Sequence, residues 1–363
     1  MTTPKRIYNF SPGPATLPLS CLEEASKGVL EIAGSGMSVL EVSHRGKEYE
    51  TIHFEARDRL LKLMGLDSNQ YTAIFMGGGA SLQFAMLPMN YLSPGKVADY
   101  VHTGEWSSKA MKEAKRFGTV NIVSSSEDAK FSYIPKTHKL TSGAKYLHIT
   151  TNNTIEGTEW FNLPDTAGVP LIADASSDIL GVARDYSKFS MIYAGAQKNL
   201  GPAGVTVVVA RKDWIEQATD EVPAILSYKT YMKNDSLYNT PPAFGVYMMG
   251  LVLKWVESQG GVKSIDGRNR EKASMIYSAI DQFPNVYESA VRDASDRSVM
   301  NITFRLRDAN REKDFLAGAQ AKNLDGLKGH RSVGGFRASI YNAFPMEGAK
   351  ILANYMHEFA TKS

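Results

Sequence analysis

Residues 169–210 read VPLIADASSDILGVARDYSKFSMIYAGAQKNLGPAGVTVVVA and hold three short apolar runs, VPLIAD, SMIYAG and GVTVVVA, with turns between them. Apolar runs of this length without alternation are those of strands buried on both faces, which places them in a sheet covered by helices on two sides. The first run ends on Asp174. Between the second and third stands Lys198, among alanines and glycines that leave little flexible, solvated surface for a charge.

The same grammar extends upstream. YTAIFM (71–76) precedes GGGASLQFAM, KVADYVH (96–102) precedes GEWSSKAMKEAKRFG, and AKYLHIT (144–150) follows. Ile52, Ala56, Leu60 and Leu63 fall at helical spacing within 48–64, with Gly65 as the stop. Strands alternating with helices and turns predict an α/β fold with a mostly parallel mixed sheet. Downstream the character changes. After an apolar segment at 244–256 and the Gly260-Gly261 stop, a linking helix is expected over 262–283. MNITFRL alternates, with Met300, Ile302, Phe304 and Leu306 on one face and Asn301, Thr303 and Arg305 on the other. FRASIYN sets Arg337 opposite Phe336, Ala338 and Ile340, and a terminal helix carries Ile351, Leu352, Tyr355, Met356 and Phe359 on one stripe. These strands, exposed on one face, predict a smaller α+β domain. The expected division is 16–264 for the large domain and 265–363 for the small one, joined by segment 1–15.

Bulk properties narrow the function. A chain of 363 residues, 43% apolar and 22% charged, has room for a large core and a smaller one. A net charge of +3 without a long basic block gives no ground for nucleic-acid binding. The lone cysteine, Cys21, excludes an internal disulfide and any multi-cysteine metal site, so no metal is expected. No apolar run reaches the length of a membrane span, and a cytoplasmic location is expected.

In open α/β sheets ligands bind beyond the carboxyl ends of the strands. There, backbone amides of Gly78, Gly79, Ala80 and Ser81 can surround an anion, helped by a helix dipole starting at Ser81. Taken alone this loop reads equally as a tight turn. Asp174 is a strand-end carboxylate able to meet a cation, whereas Asp165 and Asp185 fit simple capping. A lysine in close-packed surroundings has its charged form disfavoured, which suits Schiff-base chemistry. Trp106 follows another strand and is either a core residue or a stacking platform. An anion loop, a carboxylate, a lysine and an aromatic together fit pyridoxal 5'-phosphate (PLP). Pro12 carries no N–H, so the segment FSPGP is left outside the site.

With FSPGPATLP, EVSHRGKEY, GGGASLQF, NNTIEGT, IADASSDIL, IYAGAQKNLGPAG, LYNTPP and GHRSVGGFRASIYNA, the chain resembles the phosphoserine aminotransferases, of the class V branch of fold-type I PLP enzymes, over nearly its whole length. The resemblance implies that Lys198 carries PLP covalently and that Asp174 pairs with the pyridine nitrogen. It implies that Trp106 stacks on the ring, that Thr154 bonds the phenolic oxygen, and that Gly79, Ala80 and Gln197 hold the phosphate. It further implies a homodimer with shared active sites, in which Asn239 and Thr240 complete the phosphate site of the other subunit. Arg337 would take the substrate α-carboxylate. His44, Arg45, His330 and Arg331 would serve a substrate phosphate or the distal carboxylate of glutamate, His44 and Arg45 across the dimer. The implied reaction is reversible transamination of 3-phosphooxypyruvate with L-glutamate to O-phospho-L-serine and 2-oxoglutarate in serine biosynthesis. 4-Phosphohydroxy-L-threonine in pyridoxine biosynthesis stays open as a further substrate.

The residues argue independently for that substrate class, because five potentially cationic side chains exceed what one amino-acid carboxylate requires. A transaminase of small uncharged amino acids fits this count less well. A desulfurase would need a thiol on a mobile loop, and Cys21 sits in an apparent helix. A non-catalytic relative would be expected to lack Lys198 or Asp174, and both are present.

Overall fold

Each apolar run quoted above lies in a strand of the computed structural model, which describes residues 6–32 and 34–362. In chain order the strands are β1 (Tyr8–Asn9), β2 (Tyr71–Met76), β3 (Val97–His102), β4 (Thr119–Ser125), β5 (Leu147–Thr150), β6 (Leu171–Asp174), β7 (Met191–Gly195), β8 (Thr206–Arg211), β9 (Tyr287–Ser289), β10 (Asn301–Leu306), β11 (Leu324–Asp325) and β12 (Phe336–Ser339). The helices are α1 (Leu19–Leu30), α2 (Lys47–Leu63), α3 (Gly79–Tyr91), α4 (Glu105–Ala114), α5 (Lys212–Ile215), α6 (Tyr228–Lys233), α7 (Ala243–Ser258), α8 (Gly261–Gln282), α9 (Glu312–Ala321) and α10 (Met346–Thr361).

Seven strands form the main sheet in the order β2-β8-β7-β6-β5-β3-β4. Strands β7, β6, β5, β3 and β4 run parallel, and β8 is antiparallel to both of its neighbours. Because β8 reverses twice, β2 runs parallel to β7 and ends on the same edge. Successive side chains of a strand point to opposite faces. Ala73 and Phe75 of β2, with Val207 and Val209 of β8, therefore enter the core shared with α2 and α7. Ile74, Met76, Val208 and Ala210 enter the opposite core, built with α3 and α4.

The second sheet is antiparallel, β12-β10-β9, and shares a third core with α8, α9 and α10. Phe10 joins that core, and β1 pairs in parallel with β11. Residues 1–5 of the expected joining segment, and residue 363, lie outside the described residues. One expectation fails here. The polar face of β10 is not exposed: Asn301 and Thr303 are buried. The segment 152–156 of the main sheet covers it, with Asn152 Nδ2 donating to Asn301 Oδ1 (2.7 Å) and Thr303 Oγ1 to the Glu156 carbonyl (2.8 Å). Among the described residues no helix is long and apolar enough to cross a membrane.

Candidate active site

The carboxyl ends of β2, β3, β5, β6 and β7 open onto one cavity of about 270 Å³. Its walls bring together Gly79, Ala80, Trp106, Thr154, Asp174, Gln197, Lys198, His330 and Arg337. Sheet register explains much of this. Thr150 pairs with Asp174 and Asp174 with Tyr193, so the 151–156 loop, Asp174 and the loop after β7 emerge side by side.

Lys198 lies in the connection between β7 and β8, and its Nζ donates to Thr154 Oγ1 at 3.0 Å. Burial pushes this amine down to about 8. The Asp174 carboxylate opposes that shift, and the Arg337 cation adds to it. Lys198 Nζ lies 6.0 Å from the centroid of the Trp106 ring. Asp174 is 4% exposed, and its Oδ1 accepts from the Ser176 amide at 3.0 Å. Burial raises its carboxyl, while Ser176 and then Lys198 pull it back toward the charged form.

Helix α3 begins at Gly79, two residues before the expected Ser81, because Gly78 takes a left-handed conformation (φ +94°) at the N-cap. The first amides of a helix have no partner within it. Those of Gly79, Ala80 and Ser81 stand at the cavity wall, where an anion also meets the positive end of the helix dipole.

Arg337, on β12, crosses from the second sheet and donates from Nη1 to the Thr154 carbonyl (3.2 Å). Its Nε, and the indole N–H of Trp106, are buried without a partner among the described residues. Burial lowers the His330 imidazole, helped by the Arg337 and Arg331 cations. A buried carboxylate, a lysine of lowered basicity, unpaired helix amides and an unpaired guanidinium N–H match the donors and acceptors of PLP and a substrate carboxylate.

Five residues singled out in the sequence lie outside the cavity wall: His44, Arg45, Arg331, Asn239 and Thr240. Arg45, Arg331, Asn239 and Thr240 are exposed. Pro12 and Gly13, left out by the sequence reading, do line the cavity, since a missing N–H does not stop a segment from packing. The Pro12 carbonyl accepts from Tyr341 Oη (2.8 Å), and the Gln197 carbonyl accepts from the Ala15 amide (2.9 Å). Asp185 and Asp165 cap turns, taking the Ser187 (3.0 Å) and Ala167 (2.9 Å) amides. Cys21 is buried in α1, and burial pushes its thiol up to about 11, which makes it a poor nucleophile.

Sequence reasoning missed Glu156, although it sits inside the quoted NNTIEGT. Its Oε1 accepts from the Glu105 amide at the start of α4 (2.9 Å), tying the Thr154 loop to the helix that carries Trp106. Burial pushes this carboxyl up to about 7, against that amide and the Arg337 cation. Also missed was the buried ion pair of Arg184 Nη2 with Asp178 Oδ2 (2.6 Å); Thr151 Oγ1 donates to the same carboxylate. The acidic member was visible in IADASSDIL; its arginine partner was not.

A family model described as aminotransferase class-V matches residues 7–352. The phosphoserine aminotransferase of Desulfosudis oleivorans is 54% identical, with 98% of each chain covered. The solved phosphoserine aminotransferase of Bacillus circulans subsp. alkalophilus superposes with a TM-score of 0.95 at 50% identity, covering 98% of this chain and 99% of that one. A PLP-bound phosphoserine aminotransferase of Trichomonas vaginalis gives a TM-score of 0.90 at 40% identity, covering 97% and 100%.

Proposed function

The chain belongs to the class-V aminotransferases, and from that membership we propose that it interconverts 3-phosphooxypyruvate and L-glutamate with O-phospho-L-serine and 2-oxoglutarate. The observation that carries the reading is Lys198 Nζ, of lowered basicity, in one cavity with Asp174 and Arg337. Bound PLP supplies an electron sink for the charge that develops at the substrate Cα. Lys198 would hold the cofactor covalently and, once the substrate amine displaces it, its freed Nζ would move the proton from the substrate Cα to the cofactor C4' carbon. Asp174 would keep a compensating negative charge for the pyridine nitrogen, Thr154 would bond the phenolic oxygen, and Trp106 would stack on the ring. The amides of Gly79 and Ala80, with Gln197, hold the phosphate.

Arg337 orients the substrate α-carboxylate through its free Nε edge. His330 and Arg331 serve the substrate phosphate or the distal carboxylate, together with His44 and Arg45 of the partner subunit. Asn239 and Thr240 of the partner subunit complete the cofactor phosphate site. A homodimer is supported by the exposure of Arg45, Asn239 and Thr240 and by the apolar Leu40 and Tyr238 exposed in the same segments. We take residues 265–363, joined by 1–15, as the smaller domain, because the third core draws on Phe10 and on side chains from 273 to 360.

The test compares O-phospho-L-serine with L-serine and L-alanine as amino donors to 2-oxoglutarate. The phosphorylated donor is expected to dominate in kcat/KM. Comparable values for the unphosphorylated donors would overturn the assignment of the basic residues.

A further inference from the structure

A second cavity, of about 760 Å³, lies apart from the first and shares no lining residue with it. Three segments wall it: 134–140, 159–167 and Ser295-Asp296. Ile134, Leu140, Trp160, Phe161 and Leu163 give it an apolar and partly aromatic lining, and its volume is that of a small-molecule site.

Three polar atoms in this wall are buried without a hydrogen-bond partner among the described residues: the indole N–H of Trp160, Nδ1 of His138 and Oε1 of Glu159. Trp160 is only 4% exposed, and a buried indole N–H ordinarily finds an acceptor. His138 Nε2 lies 3.1 Å from the Asp165 carbonyl and must donate to it, which leaves Nδ1 as an acceptor in the neutral ring. The charges are uneven as well. Lys136 is paired with Asp296, whose carboxylate also takes the Ile134 amide (2.8 Å). Asp165 turns back to the Ala167 amide. Burial raises the Glu159 carboxyl, helped by Asp178 and opposed by the Arg184 cation. Lys139 has no carboxylate partner among the described residues.

We propose that this cavity binds a small carboxylic acid with an apolar body, its carboxylate received by the Trp160 N–H and Lys139, and that occupancy is felt at Lys198. The route is short. Residues 151–160 form one hairpin, closed by the Asn152–Glu159 bridge and by the Trp160 amide bonding the Thr151 carbonyl (2.8 Å). One end of it, Glu159 and Trp160, is wall of this cavity. The other end presents Thr154 to Lys198. An α-amino group on the ligand would also meet His138 Nδ1.

Holoenzyme labelled with 5-fluorotryptophan gives one fluorine resonance for each of Trp106, Trp160, Trp214 and Trp255, and Trp160→Phe assigns the one that matters. 3-Phenylpropionate and L-phenylalanine, titrated to about 10 mM so that a Kd of about 1 mM is visible, are expected to move the Trp160 resonance and leave Trp214 and Trp255 in place. Phenethylamine, which lacks the carboxylate, is expected to leave it still, and Lys139→Ala to weaken binding by up to about fivefold. No movement of the Trp160 resonance with either acid, or equal movement with phenethylamine, overturns the site. The coupling rests on the transaminase reading and is measured separately, as a change in kcat/KM for O-phospho-L-serine at saturating 3-phenylpropionate in wild type, whose half-effect concentration rises in Lys139→Ala in step with the Kd read at Trp160. Binding without such a change overturns the coupling.

Discussion

The lowered basicity of Lys198 can be read directly in cofactor-free protein. With its amine at about 8, against 10.5 for an ordinary lysine, roughly one molecule in ten carries a neutral Lys198 at pH 7. An ordinary lysine would give about 3 in 10,000, a difference of about 300-fold. Competitive trace acetylation followed by mass spectrometry reports this fraction as a pH-dependent reactivity, with the exposed Lys62 as internal standard. The Lys198 profile is expected to level off near pH 8. The signs of two variants sharpen the test. Asp174 raises the amine, so Asp174→Asn should move the inflection down and increase reactivity at pH 7. Arg337 lowers it, so Arg337→Gln should move the inflection up and reduce reactivity. An inflection close to the ordinary lysine value of 10.5, or movement of both variants in the same direction, would refute the electrostatic account.

Two further outcomes follow from the same geometry. Gly13 has φ +136°, and an added Cβ would stand 3.3 Å from Lys198 Cγ. Gly13→Ala is therefore expected to cost about 1–3 kcal/mol in backbone strain and to lower kcat more than it raises KM, as steady-state kinetics would show; unchanged kinetics would mean that this wall does not position the lysine. If His44 and Arg45 act in the partner subunit's site, co-expressing a Lys198→Ala chain with a His44→Ala/Arg45→Ala chain rebuilds one complete site per mixed dimer. Random pairing then yields about a quarter of wild-type activity from two chains inactive alone, and no recovery in isolated mixed dimers would place both residues elsewhere.

The main sheet was legible because its strands are buried on both faces and read as uninterrupted apolar runs. Strand β4 escaped notice for the converse reason: it is the sheet's edge, partly exposed along its whole length, and VNIVSS mixes polar and apolar residues. The alternation of β10 was legible, but what faced its polar side was not. A strand with Asn301, Thr303 and Arg305 on one face reads as half-solvated, and only the fold shows that a segment some 150 residues earlier covers two of the three. Asn152 Nδ2 donates to Asn301 Oδ1 across 149 positions, a pairing with no local signature.

The site divides along the same line. Lys198, Asp174, Trp106 and Gly79 stand just beyond strand ends, or at the last residue of one, so a sequence that reveals its strands also reveals them. Arg337 is different, since it sits in the middle of β12 and reaches the cavity only because the second sheet packs its polar face against the main one. Glu156 belongs to that joint. Its carboxylate holds the start of α4, its carbonyl takes Thr303 from β10, and two residues before it Thr154 meets Lys198 through its hydroxyl and Arg337 through its carbonyl. Thus one hairpin ties the lysine, the aromatic platform and the arginine of the second sheet. A displacement of the second sheet that carries Arg337 pulls on the same loop that touches Lys198, which makes that loop, rather than any single side chain, the element that keeps the Lys198 amine and the Arg337 guanidinium in register.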